Sequence, residues 1–153
     1  MATWKPSSRS DFSGPLLLDT HVWVWVLEGD LTRLSPATRP LIERCAASGG
    51  LVVCDISFWE VAIKVSKGKL DLAVDVTIWL ARAQRAPGIG FLPLDRDILV
   101  LSTQLPSTMH GDPADRMLIA ACQLHGLPLL TIDQRIIAFA KSQRGLSVCD
   151  GRP

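Results

Sequence analysis

Charge of one sign is what this chain conspicuously lacks. Sixteen Lys and Arg stand against fifteen Asp and Glu, a formal net charge of +1 over 153 residues. A field that weak cannot hold nucleic acid by the whole molecule, so any polyanionic partner has to be met by local basic patches. There is no tyrosine, and no aromatic signature of an RNA-binding surface stands out. No stretch reaches the roughly 18–20 apolar residues of a membrane span, and the polar opening MATWKPSSRSDFSG does not read as a signal peptide. Cys45, Cys54, Cys122 and Cys149 show no CxxC or zinc-type spacing and lie mostly inside apolar runs. They read as buried, reduced thiols. No membrane association is expected; a soluble, cytoplasmic protein is.

Internal repeats, low-complexity tracts and linkers are also missing, which favours one domain of ordinary size. Residues 1–14, rich in Ser, Pro and charge, read as a flexible N-terminal extension, and 15–153 as the folded domain. Within it, short apolar runs at Leu16–Leu18, Leu51–Cys54, Phe91–Leu94, Leu129–Thr131 and Leu146–Cys149 alternate with longer stretches of helical spacing. Ser35–Ala47, Phe58–Lys67, Asp75–Ala86 and Pro113–His125 are the expected helices, and a further one is expected after Asp133. Strand–helix alternation predicts an α/β fold: a three-layer α/β/α sandwich on a mostly parallel central sheet. The segment VWVWVL (22–27) has strand propensity. The scheme nevertheless needs a helix there, one so apolar that more than one side must be buried, with Trp23 and Trp25 on different faces.

In such sheets functional groups gather beyond the carboxyl ends of the strands, and acids recur there. Asp19 ends LLL, Glu60 follows LVVCDIS by one helical turn, Asp112 and Asp115 open the helix in GDPADRMLIAA, and Asp133 ends LLTI. Taken singly, each has a capping explanation. Ser57-Phe58-Trp59-Glu60 has the S-x-x-E form of a capping box, Asp112 precedes a Pro at N1, and Asp133 precedes a helix. Together they suggest a shared crevice, where like charges repel by roughly 1–4 kcal/mol per pair unless neutralised. An all-oxygen carboxylate set suits Mg²⁺ or Mn²⁺ rather than Zn²⁺, and such ions usually serve phosphate chemistry. Asp55 and Asp97 read as surface or capping acids. A phosphatase of the haloacid-dehalogenase type also needs an Asp after its first strand, but requires a second two residues on, where this chain has His21.

The pieces LLLDTHVWVW, SFWEVAIKVSKGKL, LPLDRDILVLSTQLP and HGDPADRMLIAACQLHGLPLLTIDQRI cover nearly all of 16–149. In this order they resemble the PIN-domain ribonucleases, in particular the VapC-type toxins of type II toxin–antitoxin systems. The resemblance implies a PIN-like sandwich with an acidic pocket for Mg²⁺ or Mn²⁺. In it Asp19, Glu60, Asp115 and Asp133 match the four family acids, catalytic and metal-binding, supported by Thr20 and by Asp112 as N-cap or second neighbour of the metal. It implies endonucleolytic cleavage of RNA, often tRNA or rRNA, leaving a 5′-phosphate and a 3′-hydroxyl. Silencing by a cognate VapB-type antitoxin and a homodimeric state are implied as well. A catalytically inactive PIN-like module that binds RNA or protein is the alternative. Lys64, Lys67, Lys69 and Arg116 are candidate phosphate holders, Lys64 alternatively pairing with Glu60 at i,i+4. His21 is expected to pack, His110 to make a polar contact beside the pocket, and the tryptophans to serve the core or an antitoxin groove.

Overall fold

The computed structural model describes residues 13–153; of the expected extension, 1–12 lie outside the described residues. The elements run β1 (Leu16–Leu18), α1 (Thr20–Glu28), a short 3₁₀ turn (Leu31–Arg33), α2 (Thr38–Ala47), β2 (Leu51–Cys54), α3 (Ile56–Ser66) and α4 (Val76–Ala83). They continue with β3 (Ile89–Leu92), α5 (Arg96–Gln104), α6 (Pro113–His125), β4 (Leu129–Thr131), α7 (Gln134–Lys141) and β5 (Val148–Asp150).

The five described strands form one sheet in the order β3-β2-β1-β4-β5, every pair parallel. Parallel strands are covered on both faces, and their side chains alternate accordingly. Leu16 and Leu18 face a core built with Val22 and Trp23 of α1, Ile42 and Cys45 of α2, and Trp79 of α4. Leu17 and Leu129 face the opposite core, with Ile98 of α5, Leu118 and Ile119 of α6, and Ile136 and Phe139 of α7. The expected α/β/α sandwich is therefore present. Trp23 anchors the first core, its ring 5.0 Å from Phe58 and 5.2 Å from Trp79. None of the four cysteines is disulfide-bonded. Among the described residues, no helix is long and apolar enough to cross a membrane.

VWVWVL is helical, as the βαβ scheme requires. Asp19 caps α1 and Gly29 ends it in the left-handed conformation, φ 71°, that glycine adopts without a Cβ clash. Burial overrides strand propensity: Val22, Trp23 and Val24 are buried, and Trp25 lies half-buried with the Arg33 guanidinium 5.6 Å from its ring. Two edge strands differ from expectation, β3 starting two residues earlier and β5 two later. At β3, Leu94 and Asp95 are taken by the entry into α5, whose cap Asp95 accepts from Ile98 N at 2.9 Å. Residues 13 and 14, expected within the extension, lie against the sheet entrance, where Ser48 Oγ donates to the Ser13 carbonyl.

β1 is central. The chain steps outward to β2 and β3 on one side, then to β4 and β5 on the other. The reversal falls between β1 and β4, and at such a switch point the segments leaving the two strands go to opposite faces and leave a crevice. Asp19 follows β1 and Asp133 follows β4.

Candidate active site

Three carboxylates here are nearly out of water: Asp19 is 4% exposed, Glu60 7% and Asp115 7%. Each is held differently. Asp19 Oδ1 accepts from the Thr20 N–H at 2.7 Å, and its Oδ2 accepts from the Thr131 hydroxyl at 2.5 Å. That second bond bridges the carboxyl ends of β1 and β4, which are paired directly. Both oxygens of Asp19 are thus aimed by backbone and strand-end groups before anything binds.

Glu60 corrects one expectation. α3 begins at Ile56, ahead of Ser57, so Ser57 and Glu60 form no capping box. The Thr20 hydroxyl donates to Glu60 Oε2 at 3.2 Å, and Ser57 Oγ lies 2.8 Å from Thr20 Oγ1. With its single proton given to Glu60, Thr20 accepts from Ser57. The run Ser57→Thr20→Glu60 fixes α1 to α3 at the mouth of the crevice. Lys64 pairs with Glu60 Oε1 at 2.9 Å, the i,i+4 bridge foreseen as its alternative role.

Asp112 is an N-cap as its sequence context implied, its Oδ1 accepting from Ala114 N at 3.0 Å and Asp115 N at 3.3 Å with Pro113 in the first turn. This cap turns Asp115 inward. Burial, then the charges of Asp19, Asp112, Glu60 and Asp133, push the Asp115 carboxyl up to about 8. Burial likewise raises Asp19, partly offset by the Thr131 hydrogen bond, with Glu60 raising it further. In the geometry Asp19 and Glu60 are joined through Thr20, which bonds to both, while Asp115 and Asp133 form a second group with His110. Asp133 behaves differently. Partial burial pushes it up, but hydrogen bonds from Arg135 prevail and hold it below the ordinary carboxylate range.

His110, expected as a polar contact beside the pocket, comes closer than that. Its Nε2 is 3.3 Å from Asp115 Oδ2, yet that buried nitrogen is left without a hydrogen-bond partner. Burial, reinforced by the Arg135 charge, lowers its pKa. One ligand atom each from His110, Asp115 and Asp133 lies within 4.8 Å of the others, close enough to share a cation. The orphaned nitrogen, the raised acids and the carboxylate-rich donor set all fit a divalent ion. His110 thus joins a donor set expected to be oxygen alone.

Arg116, a candidate phosphate holder, has its guanidinium turned inward, donating to the carbonyls of Ser102 (2.9 Å), Leu105 (3.0 Å) and Met109 (3.0 Å). It satisfies the orphaned end of α5 and the loop after it. His21 is exposed, yet its ring packs against Trp25, centroids 6.1 Å apart, and Lys64 Nζ lies 3.5 Å from its ring nitrogen. Thr131 and Arg135 were not anticipated, and Ser57 only as a helix cap. A hydroxyl two residues before a strand-end acid, as in TID, was the one available signal for Thr131.

An open parallel sheet whose switch point is lined by buried acids defines an acid-pocket α/β protein, and comparison with known proteins gives it a family. Residues 16–142 match the PIN domain, and the chain belongs to that family. It is 34% identical over 122 residues to the ribonuclease VapC22 of Mycobacterium tuberculosis, covering 79% of this chain and 88% of that one. The fold is shared with VapBC2 from Rickettsia felis, crystallised with a promoter DNA fragment (TM-score 0.63, 14% identity, 89% of this chain and 98% of that one). It is shared also with DNA-bound VapBC from Salmonella typhimurium (TM-score 0.60, 16% identity, 88% and 96%).

Proposed function

We propose that this chain is a divalent-metal-dependent endoribonuclease, the toxin of a toxin–antitoxin pair, cleaving tRNA or rRNA in the cytoplasm. The observation that carries the reading is the crevice itself: Asp19, Glu60 and Asp115, each under a tenth exposed, with burial and neighbouring carboxylates pushing Asp19 and Asp115 up, beside a partnerless His110 nitrogen. Groups buried in that way cost stability unless a cation joins them, and the catalytic return is then the reason for the cost. The 34% identity to a protein named a ribonuclease supports RNA as the substrate. Fold-sharing with VapBC complexes supports a VapB-type antitoxin as partner. Trp59 and Val100, 51% and 56% exposed, are uncovered apolar side chains that the antitoxin or a second copy in a homodimer would cover.

Asp19 and Asp115 would hold Mg²⁺ or Mn²⁺ directly, with Glu60, Asp133 and His110 completing the set. When bound, the ion withdraws charge from a phosphodiester and readies water for attack. Thr20 and Thr131 keep the Glu60 and Asp19 oxygens in register, which removes reorganisation at the moment of reaction. Asp115, its carboxyl pushed up to about 8 by burial and the neighbouring acids, would have to give up its proton to hold such an ion. Water adds to phosphorus, the bond to the 3′ oxygen breaks, and the proton lost by the water is balanced by the one that oxygen takes up, leaving a 5′-phosphate and a 3′-hydroxyl. The test is incubation of the purified protein with labelled tRNA and rRNA in Mg²⁺, Mn²⁺ or EDTA. Cleavage in the metals, lost in EDTA and in Asp19→Asn, is the expected result. Activity that survives either change removes the metal mechanism, and protein that binds RNA but never cuts it would be the inactive module.

A further inference from the structure

Among the described residues Lys64, Arg116 and Arg135 approach the crevice, and only Arg135 reaches its Asp115–Asp133 side. Lys64 is bridged to Glu60, and Arg116 is turned onto backbone carbonyls. Arg135 is different. Its Nη2 lies 3.2 Å from Asp133 Oδ2 and 4.0 Å from Asp115 Oδ2, while its side chain is 62% exposed. Its Nε approaches Asp133 Oδ1 at 3.5 Å, and its own backbone N–H donates to that oxygen at 2.8 Å. Both oxygens of Asp133 are therefore engaged by one residue, beside the His110–Asp115–Asp133 group.

A guanidinium in that place and a divalent ion in that group repel each other, and both draw on the same two carboxylates. The exposed side chain has room to swing, and its base is pinned at the start of α7, so it stays at the rim of the crevice. A planar fork of donors released there suits the non-bridging oxygens of a phosphate. We propose that Arg135 is the resident counter-ion of Asp133 and Asp115 in the metal-free protein and a phosphate-positioning residue once the metal arrives. It yields Asp133 and Asp115 to the ion, then turns its fork to the RNA backbone. This rests on the nuclease reading above.

The two roles predict effects of opposite sign, which a merely structural residue would not produce. In RNA-free protein, Arg135→Gln should lower the Mn²⁺ concentration giving half-maximal thermal stabilisation by about threefold or more, since a competitor is removed. At saturating Mn²⁺ the same variant should cleave tRNA and rRNA about tenfold more slowly. Its salt dependence should be shallower by about 0.7 log units per log unit of salt, one phosphate contact to single-stranded RNA. Arg135→Lys keeps the charge and loses the fork, so it should retain the wild-type salt dependence with only partial activity. The melting temperature in EDTA checks that each variant folds. A wild-type protein that is neither stabilised by Mn²⁺ nor active overturns the nuclease reading and this one with it. A wild type that binds Mn²⁺ and cuts RNA, alongside an Arg135→Gln variant with an unchanged or higher Mn²⁺ requirement or unchanged cleavage, overturns this inference alone.

Discussion

Asp115 concentrates the physics of the site in one carboxyl, and it sets the sign of the pH response. Its pKa rises from 3.8 in a free chain to about 8 in the fold. The folded state therefore binds more protons than the unfolded one between those values, and metal-free stability falls as pH rises through that window. Burial also raises Asp19, which pushes the same way, whereas burial lowers His110 and so adds stability as pH climbs toward 6.5. Above 6.5 that opposing term is spent. The metal-free protein should thus lose melting temperature between pH 6.5 and 8, and Asp115→Asn should flatten the decline. The full shift sets a ceiling of about 6 kcal/mol, and relaxation around the charged form leaves about 1–3 kcal/mol as the expected gain of the Asn variant at pH 8. Calorimetry in EDTA at both pH values checks it; a wild type equally stable at both would contradict the burial argument. Thr131 is a second test at this scale. Fully buried, it donates to Asp19 and accepts the Asp133 N–H at 3.0 Å. Thr131→Val keeps the shape and removes both bonds, and chemical denaturation should show a loss of about 1–3 kcal/mol. Restoration of that stability by Asp19→Asn in the double variant would confirm that the cost lies in a stranded charge.

Elements fix where those residues point, and the clearest case is α6 holding α5. Arg116 reaches from the first turn of α6 to carbonyls of Ser102, Leu105 and Met109, and 3.4 Å from that of His110. Loss of the fork would free the loop that carries His110. Arg116→Ala should therefore destabilise by about 2–3 kcal/mol, with Arg116→Lys recovering little because one ammonium cannot span three carbonyls. Amide exchange confined to 102–111 is the signature to look for; exchange unchanged there would return Arg116 to the candidate phosphate holders. The same elements show what a sequence can and cannot convey. β1, β2, β4 and α6 were legible to the residue, because short apolar runs bounded by turn signals, and an Asp-Pro start ending at a Gly, leave little choice. α5 was not foreseen. Its inward residues Ile98 and Leu101 keep helical spacing, but Leu99 and Val100, 40% and 56% exposed, fill the gaps and erase the pattern. The positions of Asp19 and Asp133 were legible because strand ends announce themselves; Glu60 and Asp115, on α3 and α6, stood out only through the motifs around them. Thr131, Ser57 and Arg135 were not legible, since their roles depend on which strands lie side by side and on side-chain direction, neither of which local spacing encodes.

At the scale of the whole molecule, a near-neutral chain carries a concentrated negative crevice at the switch point of its sheet. Such a molecule can gain stability from a divalent ion without becoming a strong polyanion binder. At a concentration 100 times Kd, an ion that binds only the folded state adds about 2.7 kcal/mol. For a domain of this size that is about 5–10 °C in melting temperature. Mn²⁺ should produce such a rise, Asp115→Asn should reduce it, and absence of any shift at millimolar metal would argue against a shared site. RNA affinity should behave in the opposite manner. With a net charge of +1, Lys64 and Arg116 internally paired, and Arg135 left to meet the backbone, few counterions are released on binding. The slope of log affinity against log salt for single-stranded RNA should be about −1 to −2, far from the steep dependence of proteins that clamp many phosphates. Filter binding of a labelled single-stranded RNA across salt concentrations measures it directly. A slope near −5 would mean that a basic surface outside this crevice, formed by a second copy or by Lys67 and Lys69 together with other lysines, carries the RNA. It would then place substrate choice in the assembly instead of in the acid pocket.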